Sequence, residues 1–259
     1  MNNMINMIWV ERRKAVRSRI PLWTAVFSML LPVVIALMIL ISRNPEISRK
    51  LGVISAKADL IGFSTTNWES FMVLTAQLVA TAGFFMFIVI LSWIFGREFA
   101  DQTVKDLLAV PVPRSTILVA KFIVYAVWSM AMIFLILFVS LLMGMAVQLP
   151  GADINVVWEG IVLVLITVLF VILVVVPFAL LASVGRGYLL PMSLAVVTLI
   201  LANIAIALGW GDLFPWSIPG LFSQNKNLVG SAGYLVVAAT GLLGWWATDQ
   251  WWKKADQAR

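Results

Sequence analysis

The chain has 259 residues, 62% of them apolar and only 12% charged, with a net charge of +6 and a mean hydropathy of +1.02. A soluble domain carries about twice that share of charge, so a water-soluble globular fold is excluded and the residues read as one bundle of long helices. Cysteine and histidine are both absent, which removes disulfides, thiolate chemistry, imidazole metal ligands and any catalytic triad built on histidine, while the positive balance of so apolar a chain points to lipid headgroups rather than nucleic acid.

Taken in chain order, the first element runs from Met4 to Arg19. Ile5, Ile8 and Trp9 fall on one face and Arg12, Arg13 and Lys14 crowd the rest. Such a helix lies in a membrane interface with its cations near anionic lipid, or it is simply a basic flank that orients the next segment. A spanning helix needs roughly 20 apolar residues with few charges. Residues 22–41 meet that requirement and end at Ser42-Arg43-Asn44-Pro45; no small-residue cleavage site follows, so a retained span is expected rather than a signal peptide. The loop 42–70 has mixed charge and is expected to form a short helix over the outer mouth. Further spans are expected at 71–95, 122–147, 160–183, 189–208 and 234–248, the last short and ending in a tryptophan cluster. Residues 209–233 are too interrupted by glycine, proline and tryptophan to span, and read as short interfacial helices.

The segment between the second and third spans is the most informative. Up to Ala109 it reads as one helix, with Phe99, Thr103, Val104, Leu107 and Leu108 in a stripe and Asp101 spaced to pair with Lys105. Pro111 and Pro113 end it. This is a surface suited to docking a partner, or a helix that merely packs under the bundle. With the N-terminus inside, 13 of the 18 lysines and arginines fall on the inner side, which favours both termini in the cytoplasm.

The spans carry no Asp, Glu, Lys or Arg near their centres, which argues against a carboxylate relay for protons or sodium. The polar residues left inside are Gln77, Thr81, Ser140, Thr167, Thr198 and Asn203. Gln77, Thr81 and Asn203 are the candidates for a pore lining, and interhelical hydrogen bonding is the alternative. Pro32 and Pro177 interrupt the first and fourth spans as pivots or static kinks. The fold class is therefore an all-α membrane protein: a single transmembrane domain over 1–259, with six transmembrane helices, an N-terminal interfacial helix and a cytoplasmic helix between spans two and three.

The run Arg97-Glu98-Phe99, then Thr103, Leu107-Leu108, Pro111-Val112-Pro113-Arg114, Ile117 and Lys121, resembles the signature of ABC type 2 exporter permeases. Trp9, Glu11, Lys14 and Arg17 resemble the N-terminal interfacial helix of that family. Gly185-Arg186 resembles its short basic turn between spans four and five, and Phe214-Pro215-Trp216-Ser217-Ile218-Pro219 its outer re-entrant segment. The most similar subgroup is the small permeases of bacitracin resistance, lantibiotic immunity and sodium extrusion. The resemblance implies an exporter subunit that pairs with a second permease copy or a sibling permease, and with two cytoplasmic ABC ATPase subunits. The segment between spans two and three would be a coupling helix. By position it would use Arg97, Glu98, Phe99, Thr103, Lys105, Leu107, Leu108, Pro111 and Arg114, with Arg97 and Arg114 as headgroup anchors.

No G-x-x-x-x-G-K-[ST] run exists in the sequence, so ATP and magnesium are expected in the partner ATPase and no cofactor in this chain. No catalytic residue and no metal ligand is assigned. An apolar lumen suits an amphipathic or hydrophobic cargo such as a peptide antibiotic, a lipid-like molecule or a drug, and a bacterial plasma membrane is the expected location. Two other readings remain at this level. One is a non-transporting sensor or assembly factor on the same scaffold. The other is an intramembrane enzyme, disfavoured because Glu98, Asp101 and Asp106 alternate with Arg97 and Lys105 in a pattern that looks solvated.

Overall fold

Long apolar runs punctuated by a few polar turns give a helical molecule, and in the computed structural model, which describes residues 2–43 and 67–254, every regular element is a helix. Helix α1 (Asn2–Arg17) turns at Ser18, whose hydroxyl donates to the Ala15 carbonyl at 2.8 Å, into α2 (Ile20–Arg43). Helix α3 (Trp68–Leu78) passes through a π-helical turn, Val79–Gly83, into α4 (Phe84–Ala100). After the short α5 (Val104–Ala109) come α6 (Arg114–Ala146), α7 (Ile154–Val175) and α8 (Phe178–Val184). The chain ends with α9 (Leu189–Ala207), α10 (Ile218–Gln224), a 3-10 turn (Lys226–Leu228) and α11 (Ser231–Lys254).

Among the described residues five helices are long and apolar enough to cross a membrane: α2, α3–α4, α6, α7–α8 and α9. Helix α11 has 24 residues, more than the expected 234–248, but Thr240, Thr248, Asp249 and Gln250 dilute it and it is not among the five. It runs along the bundle all the same. Tyr234 meets Phe170 and Phe222 with ring centroids 5.4 and 6.2 Å apart, and Trp252 closes the other end against Ser183. The continuous α3–α4 rod is the most covered of the five and α9 the least. Helix α6 is flanked by α1 and α2, while α7, α8 and α11 pack together on the other side of α4.

Tight packing has a local cause at Gly144, where a Cβ would overlap the Trp68 indole ring. The Trp68 backbone N–H, in turn, donates to the Pro150 carbonyl at 3.1 Å, so the start of α3 is fastened to the end of α6. Pro177 breaks the fourth span into α7 and α8, since it has no N–H to continue the ladder, whereas α2 passes through Pro32 as one helix. Residues 209–233 form the turns and α10 expected of a segment too broken to span. The Trp216 indole N–H donates to the Val174 carbonyl at 2.8 Å, three residues before Pro177. The expected helix in the loop 42–70 lies outside the described residues.

Candidate functional site

One end of the bundle gathers most of the residues singled out in the sequence. Helix α4 carries Arg97, Glu98 and Phe99 and stops at Ala100. The Thr103 N–H donates to the Glu98 carbonyl at 2.9 Å and the Gln102 N–H to the Phe99 carbonyl at 3.3 Å, with Gln102 left-handed at φ 58°. This is the hydrogen-bond pattern of a Schellman cap. The single helix expected through Ala109 is therefore two, and Asp101 cannot reach Lys105 by helical spacing. It pairs with Arg97 instead, at 3.2 Å, and the Arg97 guanidinium also lies over the Trp93 ring, 5.0 Å from its centroid.

Helix α5 is six residues long. Val104 and Leu107 are buried under it, and Thr103, Lys105, Asp106 and Ala109 face outward. Of Leu108 only the backbone is described. The chain then turns extended at Val110, as a residue before proline must, and Pro113 caps α6. Arg114, the first residue of α6, donates through Nη1 to the Trp252 carbonyl at 3.0 Å, and the Trp252 indole N–H donates to Ser183 Oγ at 3.0 Å. Phe99 packs between Trp251 and Trp252, with centroids 6.1 Å away in both cases. At Gly96 a Cβ would stand 2.9 Å from the Gly187 carbonyl, so α4 touches the α8–α9 turn backbone to backbone.

Glu98 departs most from expectation. The resemblance implies a docking contact for Glu98, yet only 4% of it is exposed. Its Oε1 accepts from Lys121 Nζ at 2.9 Å and from Lys14 Nζ at 3.0 Å. Glu11 completes a ring: its Oε1 pairs with Lys14 at 2.8 Å and its Oε2 with Lys121 at 3.2 Å. Lys121 is fully buried and donates a third bond to the Ile94 carbonyl at 2.8 Å. Two cations and two carboxylates thus alternate and cancel, and the ring ties α1, α4 and α6 together. In the sequence Glu11, Lys14 and Lys121 stand out only as members of the family-like motifs. The available signal was a carboxylate or a lysine at the edge of an apolar run in each of three segments.

The polar residues deeper in the bundle behave differently from expectation. The hydroxyls of Thr81, Ser140, Thr167 and Thr198 donate to the carbonyls of Gln77, Ile136, Leu163 and Leu194, each one turn back on the same helix. The Asn203 amide does the same to Leu199 at 2.8 Å and sits exposed on α9. The carbonyl four residues back is always within reach of such side chains, so no second helix is needed to satisfy them. Gln77 and Thr81 do share a place. They line a cavity of about 420 Å³ between α2, the π turn and α10, together with Ser223 and Gln224.

A helix bundle with a short capped helix between its second and third long helices is an arrangement that known proteins can test. Residues 7–202 match the family described as ABC-2 family transporter protein. The chain belongs to the ABC-2 transporter family. It is also similar to the bacitracin transport permease protein BCRB of Bacillus licheniformis, with 26% identity over 191 residues, covering 73% of this chain and 92% of that protein. This ABC-2 chain is accordingly a multi-pass membrane protein and the membrane subunit of an ABC transporter. The match spans α1 through most of α9 and so takes in α5 and all four residues of the charge ring.

Proposed function

We propose that this permease is the membrane half of an ATP-driven exporter, with α5 docking on a separate ATPase subunit that binds ATP and magnesium. The observation that carries the reading is α5 itself. It is closed by the Gln102 cap at one end and by Pro111 and Pro113 at the other, and it turns Lys105 and Asp106 outward. Its two anchors, α4 and α6, are cross-linked by Glu98 and Lys121, so a push on α5 is passed to both long helices rather than absorbed by a hinge. Such a two-state device needs differential contacts with the ATPase in its two forms.

Six spans with both termini in the cytoplasm follow if α11 crosses as well. Its run from Tyr234 to Trp252 along the bundle supports that count. The lightly covered α9 and the exposed side of α2 are the apolar faces for a second permease copy or a sibling. The cavity at Gln77 and Gln224 combines carboxamides with apolar walls, which suits an amphipathic cargo. The bacitracin permease of Bacillus supports a peptide antibiotic as cargo, a role in resistance and a bacterial plasma membrane as the location.

The test is purification of the full tagged chain in mild detergent, with mass spectrometry of its partners. A stoichiometric P-loop ATPase is expected, and Lys105→Glu with Asp106→Lys should release it while leaving the chain folded. Retention of the ATPase by that variant would remove α5 as the docking helix. No ATPase at any detergent strength would remove the exporter reading and favour a sensor.

A further inference from the structure

Between α1 and α6 lies a groove of about 360 Å³ that nothing in the transport reading uses. Its walls include Ile8 and Val16 from α1 and Val127, Trp128 and Met132 from α6, and among the described residues Arg12 is the one charged residue that lines it. The Trp128 indole N–H is already bonded to Thr24 Oγ1 at 3.3 Å, so the groove itself is apolar, and the exposed Arg12 is the residue lining it that can reach a polar headgroup outside. We infer that this groove binds one acyl chain of an anionic phospholipid from the leaflet on the α5 side, with Arg12 on its phosphate.

Three observations select that occupant. The first is depth. From Ile123 to Met132 the α6 wall runs ten residues, whose nine steps span roughly 13 Å at about 1.5 Å each, close to half of a hydrocarbon core about 30 Å thick. The second is access. Val16 is 69% exposed and Val127 65%, so the groove opens sideways to lipid rather than into the bundle. The third is charge. Lys14 is held in the ring with Glu11 and Glu98, and Arg13 stacks on Trp9 at 4.9 Å, but Arg12 has no carboxylate partner among the described residues. A zwitterionic headgroup would bring its ammonium within about a Debye length of Arg12, Arg13, Arg17 and Arg19, which disfavours it against a headgroup with no cation.

The measurement is native mass spectrometry of the full chain in mild detergent, titrated separately with dioleoyl phosphatidylglycerol and dioleoyl phosphatidylcholine. One phosphatidylglycerol should be retained preferentially. Arg12→Gln should weaken it about fivefold, equivalent to ~1 kcal/mol for one interfacial cation, with phosphatidylcholine unaffected. Val127→Trp, which fills the groove, should lower retention of both lipids. Lys254→Gln, at the exposed end of α11, should change neither. Equal retention of the two lipids by the native chain would overturn the inference, as would a loss in Lys254→Gln as large as in Arg12→Gln. If Arg12→Gln does not fold, quenching of the native chain by bromine-labelled lipid in vesicles decides, read as the difference from Trp128→Phe. Stronger quenching by the phosphatidylglycerol form supports the site, and equal quenching by the two headgroups overturns it.

Discussion

Lys121 is the residue with the most to lose. A lysine with no exposed surface is tolerated only because three oxygens, from Glu98, Glu11 and the Ile94 carbonyl, stand within 3.2 Å of its ammonium. Breaking a buried pair by removing one partner costs about 3–5 kcal/mol, because the surviving charge stays desolvated. Glu98→Gln should therefore lower the melting temperature in detergent on the order of 10 °C. Adding Lys121→Met should recover part of that loss, since two neutral groups leave no orphan charge. A Glu98→Gln protein as stable as the native one would mean that the ring holds nothing together.

At the scale of elements, the caps decide where helices stop, and three of them use an unusual residue. Gln102, Gln148 and Arg186 all sit at positive φ, between 50° and 58°, at the ends of α4, α6 and α8. A side chain in that region costs roughly 1–2 kcal/mol relative to glycine. Gln102→Gly should thus raise stability by about 1 kcal/mol, and Gln102→Val should lower it by more. Thermal unfolding of the pair checks the sign. The same fact explains what the sequence hid. The long helices were legible because hydropathy is a local property that each run of residues carries by itself. The break between α4 and α5 was not, because the usual flag for a left-handed cap is glycine and here the position holds glutamine. The ring of Glu11, Lys14, Glu98 and Lys121 was illegible for another reason: its members lie up to 110 residues apart, and no local pattern brings them together.

At the scale of the whole molecule, the α5 end carries the turn at Ser18, α5, the start of α6 and the end of α11, while Lys226 lies beyond α10 toward the other end. The chain has no cysteine, so single cysteines can report sidedness without a background. Asp106→Cys and Lys254→Cys should resist a membrane-impermeant maleimide in intact cells, and Lys226→Cys should react. Labelling of Lys254→Cys alongside Lys226→Cys would mean that α11 does not cross and that five spans is the count.

The charge ring also sets an order of assembly. Glu98 and Lys121 lie 23 residues apart, in helices joined by a short turn, and can meet as soon as α6 has been made. Lys14 and Glu11 must come from 84 and 110 residues upstream. Closing the longer loops costs more chain entropy, so α1 docks after α4 and α6 have paired. Until then Lys121 has a single carboxylate for company, and the newborn chain is most vulnerable to quality-control proteases in the interval between the pairing of α4 with α6 and the docking of α1.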